Sequence, residues 1–141
     1  MQDAPQASRY LVLRLAGREF AILASRVQGM MQARGLELRP LGGSPSRPWA
    51  ARVRGCDLPV VLPHAILRLR ARPFSARSCL LLIGPPGADP EFALFADSVS
   101  RVERVPAHHT RLDAAGGFTL AQVRLGEKWR DVLDVDKLAM A

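Results

Sequence analysis

The chain contains an internal repeat. Residues 19–27 read EFAILASRV and residues 91–99 read EFALFADSV, 72 positions apart. Six of the nine positions carry the same residue or an equivalent aliphatic one, which favours duplication over chance similarity between two strands. A chain of 141 residues holds one compact unit or two small lobes that share a core. The repeat therefore restricts the fold to one in which two similar units pack together.

A second block repeats in the same order. We align VRGCDLPVVLPHAIL at 53–67 with VRLGEKWRDVLDVDKL at 123–138 by inserting one residue near Gly126. This alignment equates Val61 with Val132 and Leu67 with Leu138. Two copies are too few for a solenoid, so we expect a pair of small β units, each closed into a barrel that leaves few strand edges open.

Local patterns in the first half predict two hairpins. Residues 10–15 alternate between two faces, and the turn at Gly17 returns the chain along 18–23. The polar turn at 55–57 lies between two apolar runs and predicts the second hairpin. Pro63 is expected in the first turn of a short helix.

One further helix is predicted after Ser25. Val27, Met30 and Met31 fall at helical spacing behind that potential N-cap, and Gly35 ends the pattern. The second half repeats the plan of the first, with strands at 78–84 and 91–95, a glycine-bearing loop at 113–117, further strand patterns and a C-terminal helix. Residues 98–105 fit either a strand or a turn followed by a helix.

The charge pattern leaves two interpretations open. The net charge is +7, with eighteen arginines against two lysines, and the densest stretch is RLRARPFSAR at 68–77. We interpret this stretch as a solvated linker, with contact to an anionic partner as the alternative. Phe74 is the one aromatic residue there, so the stretch lacks the interleaved aromatics of a base-stacking platform. A small β-barrel that binds nucleic acid remains the alternative hypothesis for the whole chain.

The sequence offers no motif for catalysis, a metal or a cofactor. His64 lies beside a predicted helix start, and the neighbouring His108 and His109 lack ligand-like partners in the sequence. GPPG at 84–87 is a turn, because its prolines lack the N–H donors of a phosphate cradle. We expect the aspartates near the C-terminus to cap the last helix, and no enzyme activity; they are Asp131, Asp134 and Asp136.

Several features predict a cytoplasmic protein. No apolar run reaches the roughly 18–20 residues that span a bilayer, and the first ten residues do not resemble a secretory signal. We expect no insertion into a membrane and disorder over residues 1–8. Cys56 and Cys79 have no metal-type spacing, so we expect two buried, reduced thiols, with a disulfide or a metal site as the alternative.

The order of four segments resembles the CheW-like family, the coupling proteins of bacterial chemosensory systems. The segments are YLVLRLAGREFAILASRV, RVRGCDLPV, EFALFADSV and VLDVDKL, and the resemblance covers roughly residues 9–140. It implies a mainly β fold of two intertwined five-stranded SH3-like barrel lobes with short helices. We expect a disordered stretch at 1–8 and one domain at 9–141, with one lobe at roughly 20–75 and the other formed by 9–19 and 76–141.

The resemblance also implies partners. It predicts a non-catalytic adaptor that couples the cytoplasmic tip of a methyl-accepting chemoreceptor to the regulatory domain of a histidine kinase, in chemotaxis, surface motility or pilus control. The receptor hairpin would dock in an apolar groove between the lobes. Nucleic acid, metals and cofactors are not expected partners. The positions that match family contact residues are Val53, Arg54 and Gly55 of one motif, Val27 in the groove, and Asp97 and Val99 of another.

The chain departs from the family pattern at several of these positions. Arg52 replaces the asparagine of the Asn-Leu-Arg-Gly motif, and Leu62 and Pro63 stand where Asp-Leu is usual. Gly29 stands where an acidic residue is frequent, and Ala93 replaces a common glycine. The apolar frame is retained, so we expect the fold to be conserved and the contacts to differ.

Overall fold

The structure is a computed structural model that describes residues 7–41, 45–112 and 116–141. The first six residues of the stretch expected to be disordered lie outside the described residues. So do residues 42–44 and the first three residues, 113–115, of the loop predicted at 113–117.

Twelve strands and two short α-helices make up the described chain. In the first half these are β1 Ser8–Leu15, β2 Arg18–Leu23, β3 Val27–Gln32, β4 Leu38–Pro40, β5 Trp49–Val53, β6 Cys56–Val61 and α1 Pro63–Leu67. The second half contains β7 Cys79–Ile83, β8 Phe92–Ala96, β9 Ser98–Val105, β10 Thr110–Arg111, β11 Thr119–Leu125, β12 Lys128–Leu133 and α2 Val135–Met140. Single 3-10 turns lie at Ala24–Arg26 and Ala107–His109. No helix among the described residues has the length and apolar character needed to cross a membrane.

The strands form two six-stranded sheets. The first has the order β10-β11-β12-β2-β1-β9 and the second the order β3-β7-β8-β6-β5-β4. The expected mainly β, two-lobed fold is confirmed, and each sheet gains a sixth strand from a very short edge strand, β10 or β4. The chain passes from one sheet to the other at 24–26 and at residue 97, and not near 20 and 76 as the sequence predicts. The second change comes later because β7 and β8 pair with β3 and β6 of the second sheet.

Three apolar cores follow from the alternation of side chains along the strands. On β1, Leu11, Leu13 and Leu15 face a core shared by both lobes, whereas Tyr10 and Val12 face the core of their own lobe. The strands β7 and β8 alternate in the same way between the shared core and the core of the second lobe. The central strands are thus buried on both faces, and the shared core holds the two lobes together.

The repeated nine residues occupy equivalent places in the two lobes. Ala21 on β2 pairs with Val132 of the parallel strand β12, and Ala93 on β8 pairs with Val60 of the parallel strand β6. These pairs show that the interval of 72 residues continues without a gap through β6 and β12. Our inserted residue near Gly126 was therefore wrong.

The predicted helix after Ser25 is also wrong. Residues 24–26 form one 3-10 turn, and β3 begins at Val27 with a bulge before Gly29. Because a bulge adds one residue to a strand and reverses the alternation, Val27 packs on the shared core and Met31 on the core of the second lobe. The open choice at 98–105 resolves as the strand β9, which has a bulge at the equivalent place in its pairing with β1.

Both predicted short helices are present. Pro63 occupies the first turn of α1, where its missing N–H is not needed. At α2 the Asp134 carboxylate caps the helix by accepting a hydrogen bond from the Lys137 N–H at 3.1 Å, whereas Asp131 lies on β12 and accepts a hydrogen bond from Gln122 instead. The capping prediction holds for Asp134 and fails for Asp131.

Candidate partner-binding site

A groove of about 520 Å³ opens at the seam between the lobes, and we call it the seam groove. One wall is β3, which supplies Met30 and Met31, and the other is the start of β9, which supplies Val99. Met30 is 55% exposed, which is unusual for a large apolar side chain on a strand. Both strands are outermost in their sheets, so the groove lies between two free edges. Exposed apolar surface with a polar rim is typical of a protein–protein contact.

The linker before β7 closes one end of the seam groove. Phe74 stacks on the buried ring of Phe95 at 5.0 Å between centroids and meets Trp49 edge-on at 5.4 Å. The Ser75 N–H then donates a hydrogen bond to the Ser78 hydroxyl at 2.9 Å and starts a turn that leads into β7. Our interpretation as a solvated linker is therefore incomplete, because the exposed segment is fixed to the second lobe by an aromatic anchor.

Arginines surround this end of the groove. Arg14 and Arg77 line the seam groove, and both also line an adjoining pocket of about 400 Å³ that includes Arg72. Arg14 forms an ion pair with Glu19 at 3.5 Å. Within the described part of the chain, Arg72 and Arg77 form no ion pair. The rim is therefore basic, with two guanidinium groups available to an incoming molecule.

Asp97 joins three segments of the chain. Its Oδ2 accepts a hydrogen bond from the Ala16 N–H at 2.7 Å and lies 2.9 Å from Nε2 of His64, whose side chain is 1% exposed. Ala16 belongs to the β1–β2 turn and His64 to α1. Because a carboxylate oxygen can only accept, the His64 Nε2 must carry the hydrogen of this bond. The geometry gives Asp97 a structural duty that the sequence did not show.

Arg54 and Gly55 form the exposed turn of the β5–β6 hairpin. Their φ angles are +52° and +79°, and Val53 pairs directly with Cys56, which is the pattern of a type I′ turn. A left-handed conformation costs a residue with a Cβ roughly 1–2 kcal/mol. Among the described residues the Arg54 side chain has no ion-pair partner. Arginine therefore occupies this turn at an energetic cost, with no side-chain hydrogen bond or ion pair to the described residues in return.

The structure separates the other sequence-predicted contact positions. Val53 is 3% exposed in the core of the second lobe, so its side chain does not reach a surface. Val27 and Val99 are half-buried at the margin of the shared core, and of the two only Val99 lines the seam groove. In the strand order of the second sheet, β7 and β8 lie between β3 and the β5–β6 hairpin. The seam groove and the Arg54 turn are thus two separate surfaces.

Three positions that depart from the family pattern differ in how far their surroundings account for the residue present. Arg52 lies 3.7 Å from a carboxylate oxygen of Asp57, across the β5–β6 hairpin. Leu62 precedes α1, and its N–H donates to the Ser46 carbonyl at 2.7 Å. At Gly29 a Cβ would lie 3.6 Å from Leu82, which is ordinary contact, so the space at β3 does not require glycine.

Much of the arginine excess is used within the molecule. The Arg111 guanidinium lies 3.6 Å above the Trp129 ring, a cation–π contact. One carboxylate, that of Glu19, is approached by three arginines at 3.3–3.7 Å; they are Arg14, Arg101 and Arg130. Because the net charge of +7 already counts the carboxylates, three arginines around one of them leave a local excess of positive charge at this surface.

The potentially reactive groups are dispersed. Over the described ranges no three of the histidine, cysteine and acidic side chains come together as a metal site. Both cysteines are free thiols, Cys56 exposed and Cys79 buried. Burial, with a smaller contribution from the charge of Asp97, raises the pKa of Cys79 to about 11, which keeps this thiol protonated and unreactive at neutral pH.

The fold and these two surfaces define a class of protein: a two-lobed β scaffold that presents an apolar groove and a separate polar turn. The chain belongs to the CheW-like domain family, whose model matches residues 9–141. Members of this family are non-catalytic adaptors of chemotaxis signalling, so the chain is assigned to the adaptors and not to an enzyme class.

One solved structure supports the fold. The crystal structure of the scaffolding protein TtCheW from Thermoanaerobacter tengcongensis superimposes with a TM-score of 0.77, covering 92% of this chain and 88% of that chain at 15% sequence identity. At this identity the likeness establishes the fold alone. No curated protein matches the chain.

Proposed function

We propose that this protein couples chemoreceptors to a histidine kinase of the CheA type in the cytoplasm. The observation that carries the proposal is the match of the CheW-like model to residues 9–141, combined with two separate exposed surfaces on a protein without a reactive site in its described part. An adaptor must hold two partners at once, and this requires two surfaces that do not overlap.

The seam groove is the proposed receptor site. Met30, Met31 and Val99 give it an apolar lining, and methionine side chains adapt readily to a partner's shape. An apolar groove suits the apolar face of a helix, which is the recognition mode expected for a helical receptor tip. Val27 supports this site indirectly, because it packs the start of β3 against the shared core.

The Arg54–Gly55 turn is the proposed second contact, made with the regulatory domain of the kinase. Its exposed guanidinium can form a bidentate pair with a carboxylate of that domain, and Gly55 allows the tight turn that presents it. Val53 contributes by anchoring the end of β5 in the core, and Asp97 by fixing the β1–β2 turn and α1.

Binding assays with both partners test the proposal. The purified protein should co-elute with receptor signalling fragments and with the kinase regulatory domain encoded in the same genome. Arg54→Glu should weaken the kinase contact about tenfold, through loss of one charged pair, and leave the melting temperature within about 1 °C. A large fall in stability would instead assign Arg54 to the fold.

A matched control lies in the other lobe. Arg124 is exposed on the equivalent hairpin, and Arg124→Glu makes the same change of charge away from the proposed contact. It should leave both affinities unchanged. If the wild-type protein binds neither partner, the coupling function is refuted.

Nucleic-acid binding is the competing proposal, favoured only by the net charge of +7. Binding through phosphates would weaken steeply with salt, because each neutralised phosphate releases counterions. A filter-binding titration with single- and double-stranded DNA and RNA at low and moderate salt separates the two. We expect no retention at micromolar protein.

A further inference from the structure

The arginines of the linker before β7 carry an inference that rests on the coupling function and deepens it. We propose that the seam groove selects an acidic amphipathic helix, whose apolar face covers Met30 and Val99 while its carboxylates pair with Arg72 and Arg77. The linker would then be the specificity-determining element of the groove.

The linker arginines Arg72 and Arg77 are held in place by contacts of the linker with the rest of the protein. Phe74 fixes the middle of the segment through its contacts with Phe95 and Trp49. Arg72 is two residues before this anchor, and its Nη2 would lie 3.1 Å from a Cβ placed on Gly17, so the guanidinium rests over the β1–β2 turn. Arg77 lies inside the turn closed by the hydrogen bonds between Ser75 and Ser78.

The charges that surround these arginines leave the rim basic. Asp97 is the acidic residue that lines the adjoining pocket, and its Oδ2 is already engaged by Ala16 and His64. Arg14 shares Glu19 with two other arginines. A neutral or basic helix would leave two guanidinium groups without partners beside the apolar lining, whereas an acidic helix forms pairs with both. Charge complementarity of this kind acts chiefly on specificity and association rate.

Two synthetic helical peptides test the inference without a natural partner. Both carry the same leucine and alanine face over about twenty residues; one has glutamate along its flanks and the other lysine. The protein contains four methionines, and methyl labelling of methionine gives each a separate NMR signal. Met30 and Met31 report on the groove, and Met140, 78% exposed on α2, serves as an internal reference.

We expect the glutamate-flanked peptide to shift the Met30 and Met31 signals, with affinity at least about tenfold above that of the lysine-flanked peptide. The double variant Arg72→Glu/Arg77→Glu should reverse this preference. Arg68→Glu/Arg70→Glu changes the same charge in the same linker at residues outside the groove lining, and it should retain the wild-type preference. Thermal unfolding of each variant shows that the fold is intact.

The inference is overturned by any of three results: equal affinity for the two peptides, no shift of the Met30 signal at millimolar peptide, or an equal loss of peptide preference in both double variants. Failure of this inference and failure of the coupling function give different results. If receptor fragments bind the wild-type protein and Arg72→Glu/Arg77→Glu has no effect on them, only the role of the linker fails. If no receptor fragment binds while the peptides discriminate as expected, only the receptor proposal fails.

Discussion

Removal of the Asp97 carboxylate tests whether this residue serves the fold or a partner. In Asp97→Ala the Ala16 N–H loses its acceptor and the buried His64 ring loses its hydrogen-bond partner. An unsatisfied buried polar group costs about 1–3 kcal/mol, so the two together should lower the free energy of unfolding by about 2–6 kcal/mol. This is a large part of the 5–15 kcal/mol typical of a domain.

Urea unfolding of a small set of variants measures the effect. Asp97→Asn retains one acceptor oxygen and should lose about half as much stability as Asp97→Ala. His64→Leu removes the polar ring, and it should cost less in the Asp97→Ala background than in the wild type, because the two groups interact directly. If Asp97→Ala loses under 1 kcal/mol while partner binding falls sharply, Asp97 is a contact residue and the structural role is refuted.

Three further predictions follow from single contacts. The buried thiol of Cys79 should resist alkylation at pH 8 while the exposed Cys56 reacts. The free energy of unfolding, measured relative to Cys79→Ala, should fall by about 1.4 kcal/mol per pH unit from pH 9.0 towards 11, because the thiol loses its proton first in the unfolded chain. A difference between the two proteins that does not change with pH would contradict this. Phe74→Ala removes the stacking on Phe95, so proteolysis within 68–77 should accelerate while the melting temperature changes little. An unchanged rate of cleavage would show that Phe74 does not hold the linker in place. Gly84→Ala places a Cβ 2.9 Å from Gln28 Nε2 and 3.1 Å from the Pro90 backbone, so it should destabilise the protein by about 1–3 kcal/mol, measured by thermal unfolding. An unchanged stability would show that the loop moves to make room for the methyl group.

The two-lobed β fold was predictable because its signals are local or repeated. The hairpin at Gly17 and the helix after Pro63 are each specified by a few adjacent residues. The interval of 72 residues between the repeats gave the pairing of lobes, since equivalent sequences occupy equivalent places in a duplicated fold. The bulge in β3 has no such signal, and it made Val27, Met30 and Met31 look helical.

The candidate site was largely hidden because it is assembled from distant segments. Met30, Arg77 and Val99 are each separated by more than twenty residues along the chain and meet only once both sheets have formed. Arg54 was identified through its match to the arginine of the family motif, yet its left-handed φ became apparent only in the structure. Phe74 stood alone in a charged run and gave no indication that it would stack on Phe95.

Divergence between the lobes gives a duplicated frame two different exposed turns. At the interval of 72 residues, Arg54 and Gly55 correspond to Gly126 and Glu127, so one hairpin presents a cation and the other an anion. The core positions that hold the lobes together carry matched apolar residues, because a change there costs stability in both lobes at once. The exposed turns carry no such penalty and were free to differ. If coupling requires this asymmetry, the double variant Arg54→Glu/Glu127→Arg, which exchanges the two charges and leaves Gly55 and Gly126 in place, should preserve the melting temperature and leave kinase binding as weak as in Arg54→Glu.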